Sequence, residues 1–405
     1  MRSLDQSSKL KNVLYEIRGA ALAEADRLEA EGHSILKLNT GNPAAFGFEA
    51  PFQIVRDMIA AIPHAHGYSE SRGILSARRA VVYRYEEVPG FPEVDPDDVF
   101  LGNGVSELIT MVMQALLDEG DEVLIPAPDY PLWTAMTSLG GGTPVHYLCD
   151  EEAGWEPDLE DIREKITPRT KAIVIINPNN PTGAVYSRHV LEGIAAIARE
   201  HSLLLLSDEI YDRILFDGAE HIPMATIAPD LLCLTFNGLS KTYRVAGYRS
   251  GWLVITGPKD HARGFLEGIT LLASTRLCPN VPAQHAVQAA LSGIQSIDAL
   301  IAPPGRLHEQ RDAAWEALEA IPGVSCVRPR GALYAFPRLD PDVYEIHDDE
   351  KFVYDLLMAE HVLLVGGTGF NWPTHDHLRI VTLPETRVLT DAIERMGNFL
   401  STYRQ

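Results

Sequence analysis

The chain has 405 residues, and its 56 acidic side chains outnumber 34 lysines and arginines, giving a formal net charge of -22. Such a charge repels nucleic acid and anionic lipid, so we expect neither nucleic acid nor a membrane as a partner. Apolar residues make up 46% of the chain, which is typical of a globular protein with a large core. The sequence has no apolar run of membrane-spanning or signal-peptide type. Its four cysteines form no Cys-x-x-Cys pair, which favours a reducing cytoplasm.

The amino-terminal part combines a helical pattern with a short apolar run. Apolar residues recur at spacings of three and four over 13–31, which predicts an amphipathic helix. The run 35–38 follows, and a loop rich in turn residues ends it. This segment is too short to form a domain of its own, so we expect it to complete another one.

From residue 99 onward, short apolar runs alternate with helical stretches and end at Gly, Pro, Asn or Asp. This alternation predicts an α/β fold, in which helices cover both faces of a mainly parallel sheet. The predicted strands are 99–101, 123–125, 172–176, 203–206, 232–236 and 252–255.

The carboxyl-terminal part predicts a smaller α+β domain. A helix is expected near 311–321, and the strand candidates are 332–336, 362–365 and 377–381. We therefore expect a large domain at 46–300 and a small domain at 301–405, completed by the amino-terminal segment 1–45.

Polar side chains follow three successive strands of the predicted sheet. Asn180 lies in an Asn/Pro-rich turn after the third strand, Asp208 follows the fourth, and Lys241 follows the fifth, with Arg249 eight residues later. Each has an ordinary alternative, such as a rigid turn, a helix cap, a solvated lysine or a surface ion pair. Because ligands bind beyond the carboxyl ends of such strands, their joint occurrence favours a site.

An amide, an acid, a lysine and an arginine at one sheet edge fit pyridoxal 5'-phosphate. A lysine amine forms a Schiff base with the cofactor aldehyde, which suits Lys241. An aspartate keeps the pyridine nitrogen protonated, so that the ring accepts electrons when the substrate loses its α-proton, which suits Asp208. The amide of Asn180 and the hydroxyl of Tyr211 can bond to the ring's phenolic oxygen.

The cofactor phosphate needs a cation and backbone donors. Arg249 supplies the cation, and a Gly-Asn-Gly turn before Val105 and Ser106 opens a helix whose N–H groups can converge on an anion. By itself, that turn is also typical of a strand-to-helix connection with Ser106 as the cap. Tyr130 is expected to cover the ring face, and a core tyrosine is the alternative.

Motifs along most of the chain carry a family resemblance. They include GNGVSELI, PAPDYPLW, INPNNPTGAVYS, DEIYD, FNGLSKTYRVAGYR, RPRGALYAFP and RIVTLP. From about residue 15 onward, the chain resembles the fold type I, class I/II aminotransferases. The resemblance implies the pyridoxal phosphate-dependent transferase fold type I and the cofactor roles given above for Lys241, Asp208, Asn180 and Tyr211.

The resemblance also implies further site residues. It places Ser240 beside the phosphate, and it implies that Tyr68 reaches the phosphate of a neighbouring subunit, so that a homodimer shares its active sites. Arg379 matches the family arginine that binds the substrate α-carboxylate through two parallel hydrogen bonds, with Gly41 and Asn180 completing that pocket.

Within the family, the chain resembles enzymes that exchange an amino group between alanine and 2-oxoglutarate, which makes amino acids and 2-oxo acids the expected partners. Glutamate then needs a second cation that does not penalise alanine, because an unpaired buried charge is unfavourable. A mobile Arg18 beside Gly19 is the candidate, with Tyr15 lining the same lid. Arg276 is the rival cation.

One position departs from the family pattern. Some relatives carry a phosphate-binding serine three residues before the lysine, whereas this chain has Gly238. We expect those phosphate contacts to shift to the backbone or to Ser240.

Other interpretations share some of these features. A dinucleotide-dependent oxidoreductase could use the Gly-Asn-Gly turn, but the third glycine of its fingerprint is missing. A carbon-sulfur lyase would share the fold and most cofactor residues. A cofactor-binding regulator would need a DNA-binding region, which the sequence does not contain. The pairs His64/His66 and His375/His377 have no third ligand motif beside them, so no metal is expected.

Overall fold

The computed structural model describes residues 4–10, 13 and 20–405. Their α-helices are α1 (Ala20–Ala30), α2 (Phe52–Ala61), α3 (Leu75–Glu86), α4 (Val105–Leu116), α5 (Leu132–Leu139), α6 (Leu159–Lys165), α7 (Arg188–His201), α8 (Met224–Ile227), α9 (Arg263–Thr275), α10 (Val281–Ser292), α11 (Asp298–Ile301), α12 (Arg306–Glu319), α13 (Asp349–Glu360) and α14 (Thr386–Thr402). Turns of 3-10 helix lie at Ser8–Leu10, Pro43–Phe46, Ile62–His64, Pro96–Asp98, Ala246–Tyr248, Asp260–Ala262 and Gly367–Phe370. Among these residues, every helix is too short or too polar to traverse a lipid bilayer.

The strands of the described residues are β1 (Leu36–Lys37), β2 (Val99–Gly102), β3 (Glu122–Ala127), β4 (Thr143–Asp150), β5 (Glu156–Pro157), β6 (Thr170–Ile176), β7 (Leu204–Asp208), β8 (Cys233–Gly238), β9 (Gly251–Thr256), β10 (Val324–Ser325), β11 (Tyr334–Ala335), β12 (Arg338–Leu339), β13 (Val362–Leu363), β14 (Val365–Gly366) and β15 (Leu378–Val381).

An eight-stranded sheet forms the centre of the fold, in the order β2-β9-β8-β7-β6-β3-β4-β5. The strands from β8 to β4 in this order are parallel to one another. Strand β9 is antiparallel to both of its neighbours, and β5 is antiparallel to β4. The mainly parallel sheet and the α/β class predicted from the sequence are therefore confirmed.

Both faces of this sheet are buried under helices. Successive side chains of a strand point to opposite faces. In β6, Ile173 and Ile175 belong to the apolar cluster that contains residues of α7, whereas Val174 and Ile176 belong to the cluster that contains residues of α4, α5 and α9. Burial on both faces explains why these strands are continuous apolar runs in the sequence.

Strand direction brings the candidate site residues to one edge. Strands β6, β7 and β8 are parallel, and two antiparallel steps through β9 give β2 the same direction. The carboxyl ends of all four therefore lie at the same edge of the sheet. The segments after them are those that carry the Gly-Asn-Gly turn, Asn180, Asp208 and Lys241.

The amino-terminal segment joins the carboxyl-terminal part of the chain. Leu36 of β1 pairs in parallel with Val362 of β13, and the Leu38 carbonyl accepts a 3.0 Å hydrogen bond from the Val381 N–H of β15. Strand β15 also pairs with β11 and β14. These contacts join the segment to this region, and the division into domains stays a prediction.

Two predicted elements differ from the structure. The expected strand 362–365 is divided into β13 and β14, which pair in different sheets, with β1 and with β15. The expected helix 13–31 is present as α1 from Ala20, and residues 14–19 lie outside the described part of the chain.

Gly257, directly after β9, occupies a position that only glycine fills without strain. Its φ is +84°, and a Cβ there would overlap the carbonyl of Leu231. We therefore expect Gly257→Ala to lower the free energy of unfolding by about 3 kcal/mol, because steric overlap adds to left-handed strain. Urea unfolding of the purified variant measures the loss.

Gly90→Ala is the matched control for this prediction. Gly90 also has a positive φ, +79°, but apart from its chain neighbours no atom of the described residues lies within 4 Å of the position of a Cβ. Only backbone strain remains, so a loss of about 1 kcal/mol is expected. Equal losses in the two variants would contradict the role of the Leu231 carbonyl.

Candidate active site

A cavity of about 490 Å³ opens at the carboxyl ends of the central strands, a size typical of small-ligand sites. The residues singled out from the sequence that line it are Gly41, Val105, Ser106, Tyr130, Asn180, Asp208, Tyr211, Ser240, Lys241, Arg249 and Arg379. Sequence reasoning missed the rest of its wall, which is Thr40, Ile109, Leu132, Ile176, Ile210, Ala246 and Tyr334. The structure thus brings most of the predicted site into one space.

Of the four remaining predicted residues, two lie away from this wall and two lie outside the described part of the chain. Tyr68 lies at the surface with 84% of its area exposed. Tyr15 and Arg18 lie outside the described residues. The rival cation Arg276 donates a 2.8 Å hydrogen bond to the carbonyl of Leu101, away from the cavity wall.

One end of the cavity is built as an anion site. Helix α4 begins after Gly104, whose φ is +82° and which provides no side-chain cap, so the first N–H groups at Val105 and Ser106 remain available. Ser106 is the second helical residue and not the cap. The Arg249 guanidinium donates a 3.3 Å hydrogen bond to the Asn103 carbonyl. A Cβ on Gly104 would overlap this guanidinium. These groups can hold a phosphate.

Gly238 lies where the backbone of the adjacent strand approaches closely, so a side chain does not fit at this position. A Cβ at this position would lie 2.9 Å from the Gly251 Cα and from the Ser250 carbonyl oxygen. A serine would therefore force β8 and β9 apart. This backbone contact gives a physical reason for the departure from the family pattern, and Ser240 lines the cavity nearby.

Lys241 extends across the cavity toward the amino-terminal segment. It lies three residues after β8, and its amine donates a 2.7 Å hydrogen bond to the carbonyl of Gly41. The amine also lies 5.9 Å from the centre of the Tyr211 ring. A primary amine in this position can bond to an aldehyde held between the anion site and Asp208.

Asp208 is the last residue of β7, and its carboxyl group is buried. The indole N–H of Trp133 donates to one oxygen over 3.1 Å, and the Ile210 N–H donates to the other over 3.3 Å. Burial nevertheless raises the pKa of Asp208 to about 6. A cation facing this carboxyl group would favour its charged form. Sequence reasoning missed Trp133, although it lies three residues after Tyr130 in the same motif.

Arg379 is fully buried on β15 and is held by the amino-terminal segment. Its guanidinium donates to the Asn39 carbonyl and, over 3.2 Å, to the side-chain oxygen of Asn180. It also lies 4.7 Å from the Tyr334 ring centre and 4.4 Å from that of Phe370. An arginine packed between aromatic faces presents a fixed planar fork, which suits a carboxylate.

A buried carboxyl group holds the loop that carries Tyr130. Asp129 accepts hydrogen bonds from the Asn371 amide over 2.6 Å and the Thr134 hydroxyl over 2.8 Å, and its N–H donates to the Phe370 carbonyl over 2.9 Å. Because burial outweighs these bonds, the pKa of Asp129 is raised to about 7. The cluster ties the loop that carries Tyr130 to the turn whose Phe370 packs on Arg379.

Residues 33–396 match the family model described as aminotransferase class I and II. The chain belongs to this family. It is 70% identical over 404 residues to the alanine aminotransferase of Mycobacterium tuberculosis, covering 100% of this chain and 94% of the relative. It is 60% identical to the glutamate-pyruvate aminotransferase AlaA of Escherichia coli K12, with 100% of both chains covered.

A solved aminotransferase structure from Escherichia coli has the same architecture. Its TM-score is 0.98 at 60% identity, and 100% of each chain is covered. The chain is therefore a pyridoxal phosphate-dependent aminotransferase with the type I fold predicted from the sequence. The cavity fits this cofactor, because an uncapped helix start with Arg249, a reachable lysine amine and a buried carboxyl group lie around one space.

The raised pKa of Asp129 predicts a pH-dependent stability. Its value of about 7 in the folded chain exceeds the ordinary 3.8, so the folded state favours the protonated form. The stability that this group contributes is complete below about pH 4 and is lost as the pH rises toward 7, by up to about 1.4 kcal/mol per pH unit. Asp129→Asn mimics the protonated carboxyl group, so its advantage over the wild type should grow across this range.

Denaturant unfolding of both proteins between pH 4 and 8 measures that difference. Asp260→Asn is the control, because the Asp260 side chain is 92% exposed and should leave the wild-type profile in place. A constant difference between wild type and Asp129→Asn across this range would contradict the prediction.

Proposed function

We propose that this aminotransferase interconverts L-alanine and 2-oxoglutarate with pyruvate and L-glutamate by a ping-pong mechanism in this cavity. The observation that carries the proposal is that Lys241, Asp208 and Arg379 line one cavity. The substrate assignment rests on the full-length identity of 70% and 60% to relatives named for alanine and for glutamate and pyruvate.

Each residue proposed to bind the cofactor has its own chemical role. When bound, pyridoxal phosphate supplies an aldehyde that reacts with amines and a ring that accepts the electrons released with the substrate α-proton. Lys241 would hold the aldehyde through its amine, and the same amine would move the proton to and from the substrate α-carbon. Asp208 holds the proton on the ring nitrogen. Asn180 and Tyr211 donate to the phenolic oxygen.

The remaining residues orient the cofactor and the substrate. Arg249, Val105 and Ser106 hold the phosphate, with Ser240 beside them, and the face of Tyr130 covers the ring. Arg379 binds the α-carboxylate that all amino acid and 2-oxo acid substrates share. Because one carboxylate site serves both substrates, the first product must leave before the second substrate enters, which is a ping-pong order.

A homodimer with shared active sites is also part of the proposal. Tyr68 is 84% exposed and does not line the cavity of its own chain, which suits a role at a neighbouring subunit's phosphate. Phe52 and Ile59, seven residues apart on α2 and thus on the same face, are exposed apolar side chains that a second subunit would cover. The buried free thiols of Cys149, Cys233 and Cys326 support a reducing cytoplasm as the location.

Lys241→Ala tests the central assignment. Because the variant has no amine to bond to the aldehyde or to move the proton, we expect transamination to be abolished. Borohydride should no longer attach the cofactor covalently to the protein, although noncovalent cofactor can still bind through Asp208 and Arg249. Mass spectrometry of the reduced protein and a coupled alanine assay provide the two measurements.

Lys171→Ala is the control, because Lys171 pairs with Asp121 outside the cavity and should leave both labelling and turnover intact. Near-normal transamination by Lys241→Ala would refute the assignment.

The second cation for glutamate is tested by comparing two arginines. If Arg18 meets the glutamate side chain, Arg18→Ala should lower kcat/KM at least tenfold, about 1.4 kcal/mol, for glutamate and 2-oxoglutarate. Alanine and pyruvate should change little, because they have no second carboxylate. Equal losses for all four substrates, or a glutamate-selective loss found only in Arg276→Ala, would exclude Arg18.

A further inference from the structure

Tyr334 has no assigned role, yet it lies at the centre of the cavity wall. It is on β11, where it pairs with Val381 of β15, and only 2% of its area is exposed. Its hydroxyl oxygen lies 2.7 Å from that of Tyr211, with the two rings edge to face. The two buried phenols therefore form a single hydrogen-bonded pair.

The surroundings of Tyr334 fix its hydroxyl in place. A Cβ on Gly41 would overlap the phenol oxygen, so the backbone of the amino-terminal segment closes one side. The Arg379 guanidinium lies 4.7 Å from the ring centre. The charged and titratable groups that face the two phenols are Lys241, Arg379 and Tyr130.

The neighbouring charges act differently on the two phenols, while the distance between the oxygens allows either hydroxyl to donate. Burial acts to raise the pKa of Tyr334, but the positive charges of Lys241 and Arg379 outweigh it and lower that pKa below its ordinary value. Burial and the neighbouring phenol raise the pKa of Tyr211. Each hydroxyl has one hydrogen to donate. When Tyr211 donates its hydrogen to the phenolic oxygen of the cofactor, the hydrogen of the 2.7 Å bond between the two phenols must therefore come from Tyr334.

We propose that Tyr334 is a positioning residue, whose hydroxyl donates to Tyr211 and so directs and strengthens the hydrogen bond from Tyr211 to the phenolic oxygen of the cofactor. This inference rests on the proposed contact between Tyr211 and that oxygen. A hydroxyl that accepts a hydrogen bond becomes a stronger donor, because bonded groups polarise one another. Tyr334 thereby acts on the cofactor through Tyr211.

The pH titration of the visible absorption band of the bound cofactor reports this effect without turnover. Donation to the phenolic oxygen stabilises its ionised form and lowers the pH at which the bond between Lys241 and the cofactor loses its proton. Tyr334→Phe should weaken that donation and raise the titration midpoint by about 0.5 to 1 pH unit. Tyr211→Phe, which removes the donor itself, should raise the midpoint further.

A double variant distinguishes action through Tyr211 from an independent effect. If Tyr334 acts only through Tyr211, Tyr211→Phe combined with Tyr334→Phe should have the midpoint of Tyr211→Phe alone. Additive shifts, or an unchanged midpoint in Tyr334→Phe, would overturn the proposal. Tyr147→Phe is the matched control, because it also removes a buried hydroxyl, one that donates to the Val174 carbonyl outside the cavity.

Replacing Tyr334 by 3-fluorotyrosine keeps the ring and hydroxyl and makes the phenol more acidic. It therefore tests the donation from Tyr334 to Tyr211 even where Tyr334→Phe loses the cofactor. The midpoint should then fall below that of the wild type, and an unchanged midpoint would overturn the proposal. Failure here leaves the wild-type titration and the Lys241→Ala result as they are, so it is distinguishable from failure of the proposed function.

Discussion

A carboxyl group buried at the end of a parallel strand is the constraint on which the site depends. Removing Asp208 from water disfavours its charge, and the N–H groups of Trp133 and Ile210 offset only part of that penalty. A cationic ring nitrogen facing the carboxylate would offset more. The adjoining strands β6 and β8 lead to Asn180 and Lys241, so this buried carboxyl group lies between the other two residues proposed to bind the cofactor.

The site is also a junction between distant stretches of the chain. The sheet edge carries the groups proposed to bind the cofactor, whereas Arg379 comes from β15 and takes its orientation from the Asn39 carbonyl. Lys241 reaches the Gly41 carbonyl, two residues further along the same amino-terminal segment. Substrate and cofactor groups are therefore held against each other by a short stretch of backbone.

Residues at strand ends could be predicted because direction alone gathers them at one edge, as Asn180, Asp208 and Lys241 illustrate. Trp133 and Tyr334 could not be predicted as site residues, because each lies in an apolar stretch that is typical of core. Each contacts a site residue far away in the sequence, Asp208 and Tyr211 respectively. Strand β4 escaped prediction because Pro144 and partly exposed side chains interrupt its apolar pattern. The roles of the site residues stay predictions.

The hydrogen bond from Arg379 to the Asn39 carbonyl affects how the correct folding of a protein preparation can be assessed. In the proposed arrangement, covalent attachment of the cofactor to Lys241 depends on the large sheet, whereas binding of a carboxylate by Arg379 depends on backbone before residue 46, ahead of the expected domain boundary. These two properties are carried by different stretches of the chain and can be lost separately. A yellow preparation is therefore evidence that the edge of the large sheet is folded. It is not evidence that the Arg379 guanidinium is oriented to bind a substrate carboxylate.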